Sequence, residues 1–251
     1  MTDRPALPTL TKVPMKILLF LLPLLSLVSK EICYFYPPEG WQAALPKNLS
    51  EHVQIGFVGE GTGGFHPSIN LATEETDASL KEYVKAVKEI HLSQPNTTVR
   101  SLGKFCMKGG EGLLLEISAP SFWGPLTLLQ AILVRDDIAY ILTGAILKTQ
   151  FLKLQQEVLG ALKTLSFAQD FAAPILDPAQ KEAFQALFSS LGSQPKKEEW
   201  KALQSMAESL GKEMGAHWQF LVLKEGHAKI YLEEIPKISN MEEKVNLEDT
   251  P

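Results

Sequence analysis

The sequence has 251 residues but only two cysteines and five histidines. It also has no run near the roughly 20 apolar residues that a membrane-spanning helix needs. Two cysteines exclude a disulfide scaffold and a four-cysteine zinc knot. Charge is sparse too, at 21% Asp, Glu, Lys and Arg, with a net of −5. A slightly acidic chain lacks the basic footprint with which a nucleic-acid binder neutralises phosphates. The G-x-x-x-x-G-K-[ST] phosphate loop and the G-x-S-x-G nucleophile elbow are both missing. His52, His66, His91, His217 and His227 never stand four apart, as a helical zinc site requires, and none lies close to a cysteine. Glu74-Glu75, Glu198-Glu199 and Glu233-Glu234 are adjacent pairs in solvated runs, whereas catalytic carboxylates need opposed placement across a cleft. These absences point away from catalysis, and no cofactor or metal is expected. What the chain does have is 45% hydrophobic residues, enough to build a core and to exclude disorder.

The densest apolar stretch runs from Ile17 to Val28 (ILLFLLPLLSLV), after Lys12 and Lys16 and before Ser29, Lys30 and Glu31. Twelve helical residues reach about 18 Å, too short for roughly 30 Å of hydrocarbon. A basic flank, a short apolar core and a polar exit form the pattern of a secretory signal, assigned here to residues 1–29. Met15-Lys16 would itself make a compact start, leaving 1–14 as an upstream extension. A lipobox wants small residues before its cysteine, but Lys30, Glu31 and Ile32 precede Cys33, which argues against a lipid anchor. The mature chain is therefore expected in the periplasm or outside the cell, without a membrane span. Removing 1–29 takes away Arg4, Lys12 and Lys16 against Asp3 alone, so the mature chain is more acidic still. In an exporting compartment Cys33 and Cys106 can form one disulfide closing a long loop, or remain two buried thiols. Asn48-Leu49-Ser50 and Asn96-Thr97-Thr98 match the N-glycosylation sequon, which matters only in a eukaryotic secretory pathway.

From Tyr34 onward, short β-rich runs alternate with glycine and proline punctuation. Residues 53–58 (VQIGFV) and 68–73 read as strands. A helix over about 79–91 opens on a capping box, Ser79-Leu80-Lys81-Glu82, and places Leu80, Tyr83, Val84, Val87 and Ile90 on one face. Runs at 99–107, 113–118, 126–134 and 138–146 follow, joined by turns too short for parallel crossovers and hence antiparallel. A second amphipathic helix spans about 149–163. Gly59–Gly64 (GEGTGG) matches G-x-G-x-x-G after a strand, but Phe65-His66-Pro67 leads into another strand and not a helix, so it reads as a hairpin connection.

Tyr34–Trp41 (YFYPPEGW), Phe65–Leu71 (FHPSINL), the helix after them, Tyr140–Thr143 (YILT) and Leu162–Phe167 (LKTLSF) resemble the PsbP/Mog1/DcrB-like superfamily. The resemblance covers residues 34–167, just over half the chain. It implies an α+β fold, an α-β-α sandwich on an antiparallel sheet, and a non-enzymatic binding or assembly factor, often exported in bacteria. It carries over no site residue.

Beyond the sandwich, residues 174–235 read as an extension of two helices, about 178–191 and 195–213, and a hairpin. In that hairpin 218–223 and 228–233 flank a Lys224-Glu225-Gly226-His227 turn. Residues 236–251 form a polar acidic tail. With so little catalytic equipment, the aromatic residues are the candidate contacts. Phe122 and Trp123 stand in a Pro120–Pro125 loop where an exposed ring pair suits a protein partner, and Trp200 and Trp218 are candidates in the extension. The alternative for all four is that the rings pack into the core. Three functional expectations follow. The first is an exported factor contacting an unknown protein partner in the bacterial envelope. The second is a small apolar ligand held between sandwich and extension. The third is an enzyme site assembled in space from His52, His66 or His227 with carboxylates.

Overall fold

Alternating apolar and polar residues build the molecule outward from one antiparallel sheet. The computed structural model describes residues 31–44, 53–191 and 197–230, and Glu31 begins a single compact unit. The signal assigned to 1–29, the 236–251 tail, His52 and the Asn48 sequon lie outside the described residues.

The strands are β1 (Ile32–Tyr34), β2 (Gln42–Ala44), β3 (Val53–Val58), β4 (Ser68–Glu75), β5 (Thr98–Met107), β6 (Gly110–Ala119), β7 (Leu126–Arg135), β8 (Ile138–Leu147) and β9 (Ser166–Ala168). Seven of them form one sheet in the order β2-β3-β4-β8-β7-β6-β5, antiparallel throughout, and β1 and β9 form a separate ribbon. The helix α1 (Leu80–Leu92) lies between β4 and β5 in sequence. The meander β5-β6-β7-β8 therefore returns to pair with β4, in the register Asn70↔Thr143. Asp136 and Asp137 take φ of 50° and 58° in the tight β7–β8 turn, a conformation that Asp tolerates better than most residues.

Each face has its own cover. On one, Val84 of α1 packs with Leu115, Ile117 and Ile132, and Leu80, Tyr83 and Val87 lie alongside. The capping box forms as its spacing implies: the Ser79 amide donates to the Glu82 carboxylate at 3.0 Å, and the Ser79 hydroxyl accepts from the Glu82 amide at 3.4 Å. The Ser79 hydroxyl also donates to the Glu82 carboxylate at 2.6 Å, and that bond first, with the one from the Ser79 amide, holds the Glu82 carboxyl below its ordinary range. On the other face, Val158, Ala161 and Leu162 of α2 (Phe151–Lys163) meet Ile55, Phe57, Ile69, Leu71, Leu129 and Leu142. The layers are thus helix, sheet, helix, an α+β sandwich as the sequence implies.

The extension departs from expectation at its end. The helices α3 (Pro178–Ser190) and α4 (Lys197–Met214) match the expected ones, with Asp177 capping α3 through a 2.8 Å bond from the Gln180 amide. Where the hairpin is expected from 218, the described residues form a third helix, α5 (Ala216–Ile230), and 231–233 lie outside the described residues. Its sequence reads as a short apolar run and not as a helix because the helix is buried on two sides. Trp218 and Val222, one turn apart, enter a cluster with Phe184, Leu203 and Leu210, whereas Phe220 enters the sheet core and Leu221 packs against both. Gly226 is no turn residue. A Cβ there would collide with the Leu203 side chain, so glycine lets α4 and α5 approach closely.

Cys33 and Cys106 are free thiols. In β5, Phe105 and Met107 point into the core against which Cys33 packs, and Cys106 between them points outward. Alternation along the strand therefore places the two thiols on opposite faces of the sheet, which precludes the disulfide. Burial pushes the Cys33 thiol well above the ordinary range, against the smaller opposing pull of Arg135. Native alkylation with iodoacetamide is expected to modify Cys106 readily and Cys33 only after unfolding, since the thiolate is the reactive species. Equal labelling of both in the native protein would contradict this placement.

Candidate functional site

Three connections meet at one end of the sheet: β3–β4 around residues 59–67, β6–β7 around 120–125, and β8–α2 around 148–150. Backbone and side-chain bonds tie them together. The Lys148 amide donates to the Pro125 carbonyl at 2.8 Å, and the Gln150 side-chain amide donates to the Thr62 hydroxyl. The β6–β7 turn is closed on itself. Ser121 and Gly124 exchange amide–carbonyl bonds of 3.1 Å, the Ser121 hydroxyl donates to the Gly124 carbonyl at 2.6 Å, and the Trp123 amide donates to that hydroxyl at 3.2 Å.

This turn presents the aromatic pair. Phe122 is 91% exposed, Trp123 is 51% exposed, and their rings meet edge to face with centroids 5.8 Å apart. Trp123 also leans on buried Phe65, at 5.8 Å between centroids. One ring is therefore braced and the other projects, while Leu152 of the first α2 turn is 85% exposed after the same loop cluster.

The two tryptophans of the extension behave differently. Trp218 is 0% exposed and its indole N–H donates to the Phe171 carbonyl at 3.1 Å, so it is a core residue and not a contact. Burial among Phe184, Leu203 and Leu210 is the reason. Trp200 is half-buried, edge-on to the His227 ring at 5.7 Å.

The chain matches no protein-family model, and no curated protein is similar to it in sequence. Solved structures do resemble it. PsbP and Mog1 are among them. The cyanobacterial PsbP of Synechocystis is 12% identical and covers 54% of this chain and 91% of its own, with a TM-score of 0.37. The Ran-binding protein Mog1p of Saccharomyces cerevisiae is 15% identical over 53% of this chain and 88% of its own, also at 0.37. LpqN of Mycobacterium tuberculosis, described as involved in cell envelope biogenesis, is 14% identical over 55% of this chain and 84% of its own, at 0.43.

The cleft expected between sandwich and extension is filled. His217 of α5 packs edge-on against Phe35 and Phe57, with centroids at 4.9 and 6.2 Å, and Phe220 lies in the same core. Open space lies elsewhere. A groove of about 430 Å³ runs between α3 and α4, lined by Ala183, Ala202, Ser205, Met206 and Ser209. A second groove of about 290 Å³ lies beside α1 on the open half of the sheet. Among the described residues the histidines stay apart: His66 is on the β3–β4 loop, His91 in the last turn of α1, His217 in the core and His227 against Trp200. No group of three or more His, Cys, Asp or Glu that could hold a metal occurs among the described residues.

One feature escapes sequence reasoning. Asn70, Thr143 and Gln130 stand level on three adjacent strands, β4, β8 and β7, through the registers Asn70↔Thr143 and Gln130↔Thr143. All three line the groove beside α1. Each is a polar residue flanked by apolar neighbours in its strand or beside a glycine, and only strand pairing brings the three together.

No helix among the described residues is long and apolar enough to cross a membrane.

Proposed function

We propose that this chain is an exported binding factor that acts by contact with a protein partner, with Phe122 and Trp123 as the anchor. The observation that carries this reading is a projecting phenylalanine braced by a tryptophan in a self-closed turn. Exposed aromatic rings at a rigid site are what interface hot spots are made of, because burying them gains apolar area without an ordering cost at binding. The apolar stretch at 17–28 supports export, and the shortage of catalytic groupings in the sequence supports binding over chemistry.

A photoreactive amino acid placed at position 122, compared in intact cells with one at Leu176, tests this. Leu176 is 88% exposed but outside the loop cluster. A discrete cross-linked species is expected from position 122 and not from 176. Phe122→Ala is expected to weaken the isolated complex at least about tenfold, the loss typical of a hot-spot ring. Its melting temperature stays unchanged, because the ring buries almost nothing in the free protein. Identical cross-linking from both positions, or an unaffected complex, would remove the aromatic pair from the interface.

A further inference from the structure

The groove beside α1 has a polar floor that the fold itself does not satisfy. Gln130 is only 8% exposed and sits mid-strand in β7. Its side-chain amide donates to the Thr143 hydroxyl at 3.0 Å, while its Oε1 is buried without a hydrogen-bond partner. An acceptor held this way costs free energy that a leucine or methionine would not, so the fold gains nothing from it. With the Thr143 oxygen already accepting from Gln130, its O–H is left to donate. The floor thus offers an unpaired acceptor next to a hydroxyl donor, and Asn70 lies opposite Thr143 on the next strand.

Around this floor the walls are mixed: Glu74, Tyr83 and His91 also line the groove, the Tyr83 hydroxyl donating to the Glu74 carboxylate, and the remaining wall is apolar. Ala72 and Ile141 rise from the sheet, and Val87 and Ile90 descend from α1. At about 290 Å³ the space is near the lower limit of small-ligand pockets. Its shape and chemistry suit a few carbon atoms joined to one group that both donates and accepts.

We propose that the groove between α1 and the open sheet face binds a small free molecule carrying a carboxamide-like donor–acceptor pair on a short apolar chain. The ligand N–H donates to Gln130 Oε1, its carbonyl accepts from the Thr143 hydroxyl, and its chain lies against Val87, Ile90 and Ile141. Neither Phe122 nor Trp123 takes part, so this site stands or falls separately from the protein-binding end.

Butyramide is the probe, with methyl butyrate as the partner that keeps the carbonyl and chain but has no N–H. Both are titrated into the ¹⁵N-labelled full chain while the Gln130 side-chain amide signal is followed by NMR. Butyramide is expected to shift that signal saturably, with Kd of order 1–10 mM for so few atoms. Methyl butyrate should bind at least about tenfold more weakly, the value of one hydrogen bond to an otherwise unpaired acceptor. Gln130→Met abolishes the butyramide response, read on neighbouring backbone signals, without lowering the melting temperature. Thr143→Val weakens it, which keeps the test open if the first variant folds poorly. The proposal is overturned if neither probe saturates, if both bind equally, or if binding survives in Gln130→Met. It is also overturned if a capped Ala-Gln-Ala peptide binds about tenfold more tightly than butyramide, which would assign the groove to a partner chain.

Discussion

Trp218→Ala is expected to lower the unfolding free energy by about 3–5 kcal/mol, the usual cost of truncating a fully buried large aromatic. Trp218 is 0% exposed, touches the Phe184 ring at a centroid distance of 5.7 Å, and donates its indole N–H to the Phe171 carbonyl. Truncation leaves a cavity where α3 and α5 meet and an unpaired carbonyl near it. For a chain of this size the loss corresponds to roughly 6–20 °C in melting temperature. Trp200→Ala, at a half-buried position, should cost clearly less. Urea unfolding curves monitored by circular dichroism separate the two. A cost below about 1 kcal/mol for Trp218→Ala would mean that α5 does not pack as described.

The second large effect is a loss of stability in mild acid, and it has a single main source. His217 is buried between Phe35 and Phe57, and its Nδ1 accepts from the Phe35 amide at 3.2 Å. The proton therefore sits on Nε2, which is buried without a partner. Burial, helped by the nearby Lys224 charge, pulls its pKa down from 6.5 to about 3. The folded protein keeps this ring neutral down to that pH, whereas the unfolded chain protonates it below 6.5. Protons thus favour the unfolded state between the two values. His217 stabilises fully above pH 6.5, and its contribution declines by about 1.4 kcal/mol per pH unit on acidification toward pH 3. Burial pulls His227 in the same direction, so the comparison must isolate one residue. Chemical denaturation at several pH values between 6.5 and 4.5, above the main carboxylate range, provides it. His217→Leu is expected to be less stable at neutral pH, because the Phe35 amide loses its acceptor, yet to show a clearly shallower pH slope. An unchanged slope would contradict the buried neutral imidazole.

Both effects concern α5, the element that the sequence describes least well. Along α1 the apolar residues mark a single face and Ser79 and Glu82 mark its start, so the helix is legible without any partner. The stretch Trp218–Leu223 has no polar side to reveal a period of 3.6, because sheet core and helix cluster each claim part of it. With only Gln219 polar between Trp218 and Leu223, the local pattern reads as a short apolar run. The candidate sites divide in the same way. Phe122 and Trp123 could be picked out because a proline-bounded loop keeps them at the surface. Gln130, Thr143 and Asn70 could not, since nothing within one strand announces its register against the next.

The sequence alone determined the strand alternation, the antiparallel order implied by short turns, the two helices covering the sheet and the capping of α1. All of these depend on contacts within a few residues or on burial of one side only. Tertiary structure decided that 216–230 is helical, that Cys106 faces away from Cys33, that Trp218 is core, and that three polar side chains share one floor beside α1. Each of these depends on which distant segment lies opposite, and that is set by the sum of packing across the whole sheet, so no local pattern carries it.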